Sequence, residues 1–308
     1  MRGTNAQSRA GSVEPMNSAV AVVGPGAVGT TIAGYLHAAG YAPLLCGRTP
    51  REDVQVRPDG ATPIVVPGPV RTDPAAVPGP VSLVLLAVKT TQIEAAAGWL
   101  DALCDERTRV CVLQNGVEQV QRVAPHCRGA TVFPGIVWFG AETQPGGWVR
   151  LRTEPRLTLP AGAESVAAGL REAGCHVDVD ADITTALWRK LVVNAVAGLM
   201  VLTRRRSGMF RRDDLAALAL GYAREAVTVG RAEGAVLDEG LAEQTVRRFA
   251  DGPPDMGTSI LSDATAHRPL EWEVRNAVIT RRGRRHALAT PIADVVTVLL
   301  AAASDGPG

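Results

Sequence analysis

The chain has 308 residues, long enough for a large core and for two folding units. Its 32 lysines and arginines stand against 31 acids, and this formal charge of +1 gives no support for broad electrostatic capture of nucleic acid. Hydrophobic residues at 46% and charged residues at 20% fit a globular chain, and no uninterrupted apolar run of about 18 residues marks a membrane span.

Residues 1–15, MRGTNAQSRAGSVEP, are polar and lack the apolar centre of a secretion signal. They read as a disordered leader or as an overlong start, with Met16 as the real beginning. AVAVVG (19–24) is a short apolar run ending in glycine, the form of a buried parallel strand, and TTIAGYLHAAG predicts a helix closed by Gly40. YAPLLCGR supplies a second strand. A proline-rich, polar interval separates it from a third, VSLVLLAVK (81–89), which is followed by a helix from Thr91 to about Leu103. RVCVLQNG (109–116) repeats the strand-then-turn pattern, segments of β type occupy 130–160, and the helix VAAGLREAG precedes the strand CHVDV. From about residue 182 the pattern is helical, with segments at 184–202, 212–233, 239–250, 269–282 and 291–302.

VVGPGAVGTTIAGYL contains GxGxxG in Gly24, Gly26 and Gly29, placed after an apolar strand and at the opening of a helix. Gly24 makes the turn, Gly26 lets a pyrophosphate approach the backbone, and Gly29 lets helix and strand pack closely. Pro25, Ala27 and Val28 complete this cofactor-binding turn, with the phosphates at the amide-rich helix start. The expected fold is therefore an α/β Rossmann-type N-terminal domain (16–182) followed by an all-helical C-terminal domain (183–308). At the end of the second strand, where NAD binders place an acid, stands Arg48. Its guanidinium fork suits a 2′-phosphate, which favours NADP(H). Glu52 and Asp53 lie just beyond and leave open that Arg48 is a solvated loop cation.

WRKLVVNAVAGL (188–199) is apolar except for Lys190 and Asn194, which at helical spacing project from one face, with Gly198 a turn further along the same line. Two readings are open: Lys190 snorkels while Asn194 bonds to backbone, or both face a cleft whose missing partner is a ligand. The cysteines, Cys46, Cys104, Cys111, Cys127 and Cys175, are odd in number and lack metal-ligand spacing, which suits reduced thiols in a cytoplasmic protein. The histidines are scattered, and no metal is expected. Arginine clusters at 204–206, 211–212 and 281–285 read as solvated helix ends.

The glycine motif, AVKTTQ (87–92), LQNG (113–116), KLVVN (190–194) and TSILSDATAHRPLEWE (258–273) come in the order and approximate spacing of the ketopantoate reductase family, and the resemblance runs from residue 19 to 300. It implies reduction of ketopantoate, a 2-oxo acid, to pantoate by NADPH in a cleft between the two domains. The family's catalytic lysine and active-site glutamate correspond to Lys190 and Glu271. Its substrate-binding residues correspond to Asn115, Asn194 and Ser259, and Asn115 also lies near the nicotinamide. Lys89, Thr90 and Gln92 belong to the family's loop beside the cofactor, and Arg48 stands at its contact to the 2′-phosphate. The chain departs from the pattern at Gly198, where many members have a second asparagine, and at Trp272, Glu273 and Ala277.

The residues alone leave plainer roles open for two of these. Glu271 is four residues from Arg275 and could form a surface pair, and Ser259 could cap a helix. The expected partner is a small 2-oxo acid, with homodimer formation open and neither nucleic acid nor membrane expected. The competing functions are a related reductase for another 2-oxo acid or ketone, and a non-catalytic NADP-binding regulator.

Overall fold

The computed structural model describes residues 19–305, so the leader and Met16 fall outside the described residues. Strands and helices alternate through the first part of the chain: β1 (Val20–Val23), α1 (Ala27–Ala38), β2 (Leu44–Cys46), β3 (Asp53–Pro58), β4 (Ile64–Pro67), β5 (Leu83–Leu86), α2 (Ile93–Leu103), β6 (Arg109–Val112), α3 (Gln119–Val123) and β7 (Thr131–Pro134). Then come β8 (Ile136–Val137), β9 (Ala141–Thr143), β10 (Val149–Leu151), β11 (Arg156–Pro160), α4 (Glu164–Glu172) and β12 (His176–Asp180).

The apolar runs pair as a five-stranded parallel sheet in the order β2-β1-β5-β6-β7. Every residue of β1 and β5 is buried, as covered central strands require. The register aligns Cys46, Val23, Leu86, Val112 and Pro134 across one edge, so the loops that follow β1, β2, β5 and β6 gather at the C-terminal end of the sheet. The interval read as proline-rich and polar contains β3 and β4, which join β10 and β9 in a second sheet. Val54, Val56 and Val66 point inward there, and Pro58 and Pro67 sit at strand ends, where prolines are tolerated. A three-stranded sheet, β12-β11-β8, completes the α/β part.

The helical part comprises α5 (Ile183–Thr203), α6 (Asp213–Ala232), α7 (Leu241–Asp251), α8 (Ser259–Thr265), α9 (Val278–Arg285) and α10 (Pro291–Ser304). Asp182 caps α5, its carboxylate accepting from the Thr185 amide at 3.0 Å and from Thr185 Oγ1 at 2.6 Å. α5 is long and apolar enough to cross a membrane by composition, yet 72% of its apolar window is buried within the protein. Trp188, Leu191, Val196 and Met200 of α5 form one core with Tyr222, Phe210 and Phe249. Two features differ from the expected pattern: α8 is an additional helix, and the helix expected from 269 opens with a π-helical segment, Glu273–Ala277, before α9.

Candidate active site

The loops at the sheet edge touch one another through the glycine turn. The Gly24 amide donates to the Cys46 carbonyl at 2.8 Å, tying β1 to the end of β2. Gly24 has φ +91°, and a Cβ there would lie 2.6 Å from Val88, so only glycine lets the turn pass under the loop carrying Lys89 and Thr90. A Cβ on Gly29 would strike the Gly24 carbonyl, which is the close packing expected of it. Gly26 is the opposite case, with open space within 4 Å of where its Cβ would stand. It precedes α1, whose first-turn amides, beginning at Ala27 and Val28, have no side-chain cap. Open backbone beside uncapped amides fits a dinucleotide pyrophosphate. Pro25 packs against Gly47, and the next residue, Arg48, is exposed with no ion-pair partner among the described residues. Arg71, a second exposed cation that the sequence reading passed over, is fixed beside it: its amide donates to Leu45 O at 2.8 Å and its carbonyl accepts from Gly47 N at 2.9 Å.

Across this edge the helical part supplies a continuous polar chain. Thr90 donates to Glu271 Oε1 from its amide at 3.1 Å and from Oγ1 at 3.2 Å, while Asn115 Nδ2 donates to Glu271 Oε2 at 2.9 Å. Asn194 Nδ2 donates to Asn115 Oδ1 at 3.2 Å, and Arg275 donates to Asn194 Oδ1 at 3.1 Å and to Ser259 Oγ at 3.0 Å. Glu271, Asn115, Asn194 and Ser259 are thus brought together. Gly116, with φ +103°, makes this possible for Asn115, since its Cα lies against Val274 where a Cβ would be only 3.1 Å away. Glu271 and Arg275 are 5% and 2% exposed, so the surface pair open to them in the sequence does not form. Ser259 begins α8 and accepts from Arg275, while Thr258 occupies the cap position.

Lys190 lies outside this chain. Its ammonium sits 4.8 Å from the centroid of the Trp138 ring, and among the described residues it has no hydrogen-bond or ion-pair partner. The residue is half-buried, with protein packed around its side chain. Burial lowers its pKa from 10.5 to about 7, and the nearby cations Arg275 and Arg248 push in the same direction. Burial likewise pulls the Arg275 guanidinium below its ordinary value, with Glu271 and Asp263 opposing. Asn194 is held by one protein partner at each end of its amide, which leaves an N–H free to donate, whereas Lys190 has no partner among the described residues. Gly198 does not continue their line towards Asn115 and Glu271: its Cβ position lies 2.9 Å from both Asn276 Nδ2 and Leu300 Cδ1, inside the helical core.

The loop residues have local tasks as well. Gln92 Oε1 accepts from the Lys89 amide at 3.3 Å, and the Lys89 ammonium pairs with Asp263 on α8. Asp263 also accepts from Arg268 Nε at 3.1 Å. No sequence motif pointed to Asp263 or Trp138, although Asp263 stands inside the TSILSDATAHRPLEWE stretch, and Arg275, two residues beyond it, was legible only as a possible surface partner of Glu271.

Residues 20–164 match the family described as ketopantoate reductase PanE/ApbA, and residues 182–304 match its C-terminal part. The chain belongs to the ketopantoate reductase family. A 2-dehydropantoate 2-reductase of Mycobacterium tuberculosis is 62% identical over 295 residues, covering 95% of this chain and all of the relative. The enzyme of that name from Caulobacter vibrioides is 35% identical, covering 93% and 99% of the two chains. Among solved structures, the dimeric ketopantoate reductase from Staphylococcus aureus superposes with a TM-score of 0.84 at 27% identity, over 94% of this chain and all of that one. The family's two-part match falls on either side of the change from strands to helices between Asp180 and Ile183.

Proposed function

We propose a division of labour by which this NADP(H)-dependent oxidoreductase reduces ketopantoate to pantoate, with Lys190 as the proton donor of the reaction. The observation that carries it is the unpartnered Lys190 ammonium beside a polar chain whose members come from both parts of the protein. Hydride addition to a ketone develops negative charge on its oxygen, and a cation with a transferable proton serves both needs. When bound, NADPH supplies the hydride. Lys190, with a pKa near 7, gives up a proton to the developing alkoxide at neutral pH. Trp138 holds the ammonium from below by its ring face.

Glu271, fixed by Thr90 and Asn115, keeps a carboxylate at the wall and accepts a hydrogen bond from a hydroxyl of the substrate. Asn194 and Ser259 bind substrate oxygens. The Gly24–Gly29 turn, with the amides of Ala27 and Val28, takes the cofactor's phosphates, and Arg48 takes its 2′-phosphate. The exposure of Arg48 and the placement of Arg71 beside it support that choice. Lys89 and Gln92 shape the loop beside the cofactor, and Asn115 stands at the nicotinamide end.

We divide the chain into a cofactor domain to residue 182 and a catalytic helical domain from 183, as the end of the strands at Asp180 supports. We place it in the cytoplasm, which its five buried, unpaired cysteines suit. A homodimer is supported by the exposed Val295, Val298 and Leu299 on α10 and by the dimeric S. aureus relative.

The deciding experiment follows NADPH oxidation by ketopantoate in the natural protein and in Lys190→Ala. The variant should bind NADPH normally while kcat falls by roughly 100- to 10,000-fold. Near-normal turnover in folded Lys190→Ala would refute the proton-donor role.

A further inference from the structure

A 2-oxo acid brings a carboxylate as well as a ketone, and the site contains a buried cation suited to it. Arg275 is 2% exposed, and no carboxylate lies within ion-pair distance of it among the described residues. Both of its hydrogen bonds go to neutral oxygens, Asn194 Oδ1 and Ser259 Oγ. Its Nε–H is buried without an acceptor. A guanidinium has five N–H donors in a planar fork, so most of its capacity is uncommitted. A charge this deep, with the Glu271 and Asp263 carboxylates acting on it only from beyond ion-pair distance, is a poor structural element, because replacing it by an apolar residue would remove the burial penalty. The same guanidinium touches both residues already assigned to the substrate, Asn194 and Ser259.

We propose that Arg275 recognises the carboxylate of the 2-oxo acid, its free N–H donors completing a subsite that Ser259 and Asn194 frame. This rests on the reading of the Lys190 cleft as the reaction site. It adds a consequence for the acid: in the free protein Arg275 from the π segment and Arg248 from α7 both repel the Lys190 ammonium. An anionic substrate on Arg275 cancels the first of these, so Lys190 holds its proton more firmly once the substrate is bound. The substrate thereby prepares the group that protonates it.

The test compares ketopantoate with its γ-lactone, which keeps the ketone but loses both the carboxylate and the hydroxyl assigned to Glu271, for the full-length protein and for Arg275→Met, so that the change in preference between the two proteins reads the carboxylate contact. The natural protein should prefer the acid strongly in kcat/KM. In Arg275→Met the KM for ketopantoate should rise on the order of 100-fold, with a smaller change in kcat, while the lactone is affected far less and NADPH affinity is unchanged. An unmodified acid-over-lactone preference in the variant overturns the proposal, as does a natural protein that reduces the two equally well. Should Arg275→Met fail to fold, Arg275→Lys decides, because losing the fork should cut the preference about tenfold and an unchanged preference is again fatal. A second readout needs no variant: the pH at which the rate falls should lie higher in the kcat profile than in the kcat/KM profile. Coincident profiles count against the proposal. Lys190→Ala separates the two levels of argument: if it keeps full turnover the site itself is misread, whereas an inactive Lys190→Ala with an unchanged acid preference in Arg275→Met removes the carboxylate subsite alone.

Discussion

At the scale of single residues, the polar interruptions of α5 were legible because a lysine and an asparagine within an apolar helix conflict with burial unless something answers them. Their partners were not. Arg275 and Glu271, four apart in a charged stretch, fit an exposed helical pair equally well, and only the fold shows both to be buried. The depressed pKa of Lys190 gives a stability prediction with a definite sign. Its folded value, about 7, lies below its ordinary 10.5, so between these limits the unfolded chain binds more protons and stability rises with pH. Below pH 7 the protein carries the whole penalty of a buried ammonium, which for a side chain partly open to solvent is about 1–3 kcal/mol. Lys190→Met should therefore be inactive yet more stable by that amount near pH 6, the gain shrinking towards pH 10. Chemical denaturation at the two pH values checks this, and a gain independent of pH would show that packing rather than charge is responsible.

At the scale of elements, alternating apolar strands and helices exposed the parallel sheet, and the glycine spacing marked the tight turn between β1 and α1, because both are dictated by local sequence. β3 and β4 were obscured, since three inward valines are few among prolines and charges, and what stabilises them is pairing with distant β10. The π segment was equally hidden, because no local pattern distinguishes it from α-helix. It carries Arg275 and Asn276 inward, and Asn276 in turn explains Gly198. Asn276 Nδ2 donates to Tyr222 Oη at 2.9 Å and to Ala195 O at 3.3 Å directly over that glycine. The departure at Gly198 thus goes with close packing of α5 against the side chains of Asn276 and Leu300. Restoring the asparagine that many family members carry, by Gly198→Asn, should overpack this contact and cost roughly 1–3 kcal/mol in denaturant unfolding, without improving kcat/KM. A stable variant with raised kcat/KM would mean that the position opens to the substrate after all.

At the scale of the whole molecule, the α/β and helical parts are joined by charge as well as by the polar chain from Thr90 to Ser259, and this no sequence pattern foretold. The arginine cluster at 281–285 reads as solvated helix ends, yet two of its members reach across. Arg281 and Arg282 on α9 donate to the two oxygens of Glu118, just before α3, at 2.7 and 3.1 Å. Arg122 donates to Glu118 at 3.2 Å and to Glu273 at 3.0 Å, and Arg282 pairs onward with Glu233 at 3.1 Å. Burial works to raise the Glu118 carboxyl, but the surrounding guanidiniums of Arg281 and Arg122 outweigh it and hold the group below the ordinary carboxylate value. A carboxylate held below its unfolded value stabilises the fold fully above that value, and the contribution disappears as pH falls through the folded one. Glu118→Gln should accordingly lose about 1–3 kcal/mol at pH 7, less than a fully buried pair because the cluster is part-exposed. The difference from the natural protein should close as both are titrated to acid below the ordinary carboxylate range. Since Glu118 lies against α9 and Arg122 reaches the π segment through Glu273, the same variant should raise KM for ketopantoate more than it raises the dissociation constant for NADPH, whose phosphates we assign to the glycine turn of the α/β part. Equal losses in both constants would show that the cluster supports the protein as a whole and has no separate effect on the substrate residues.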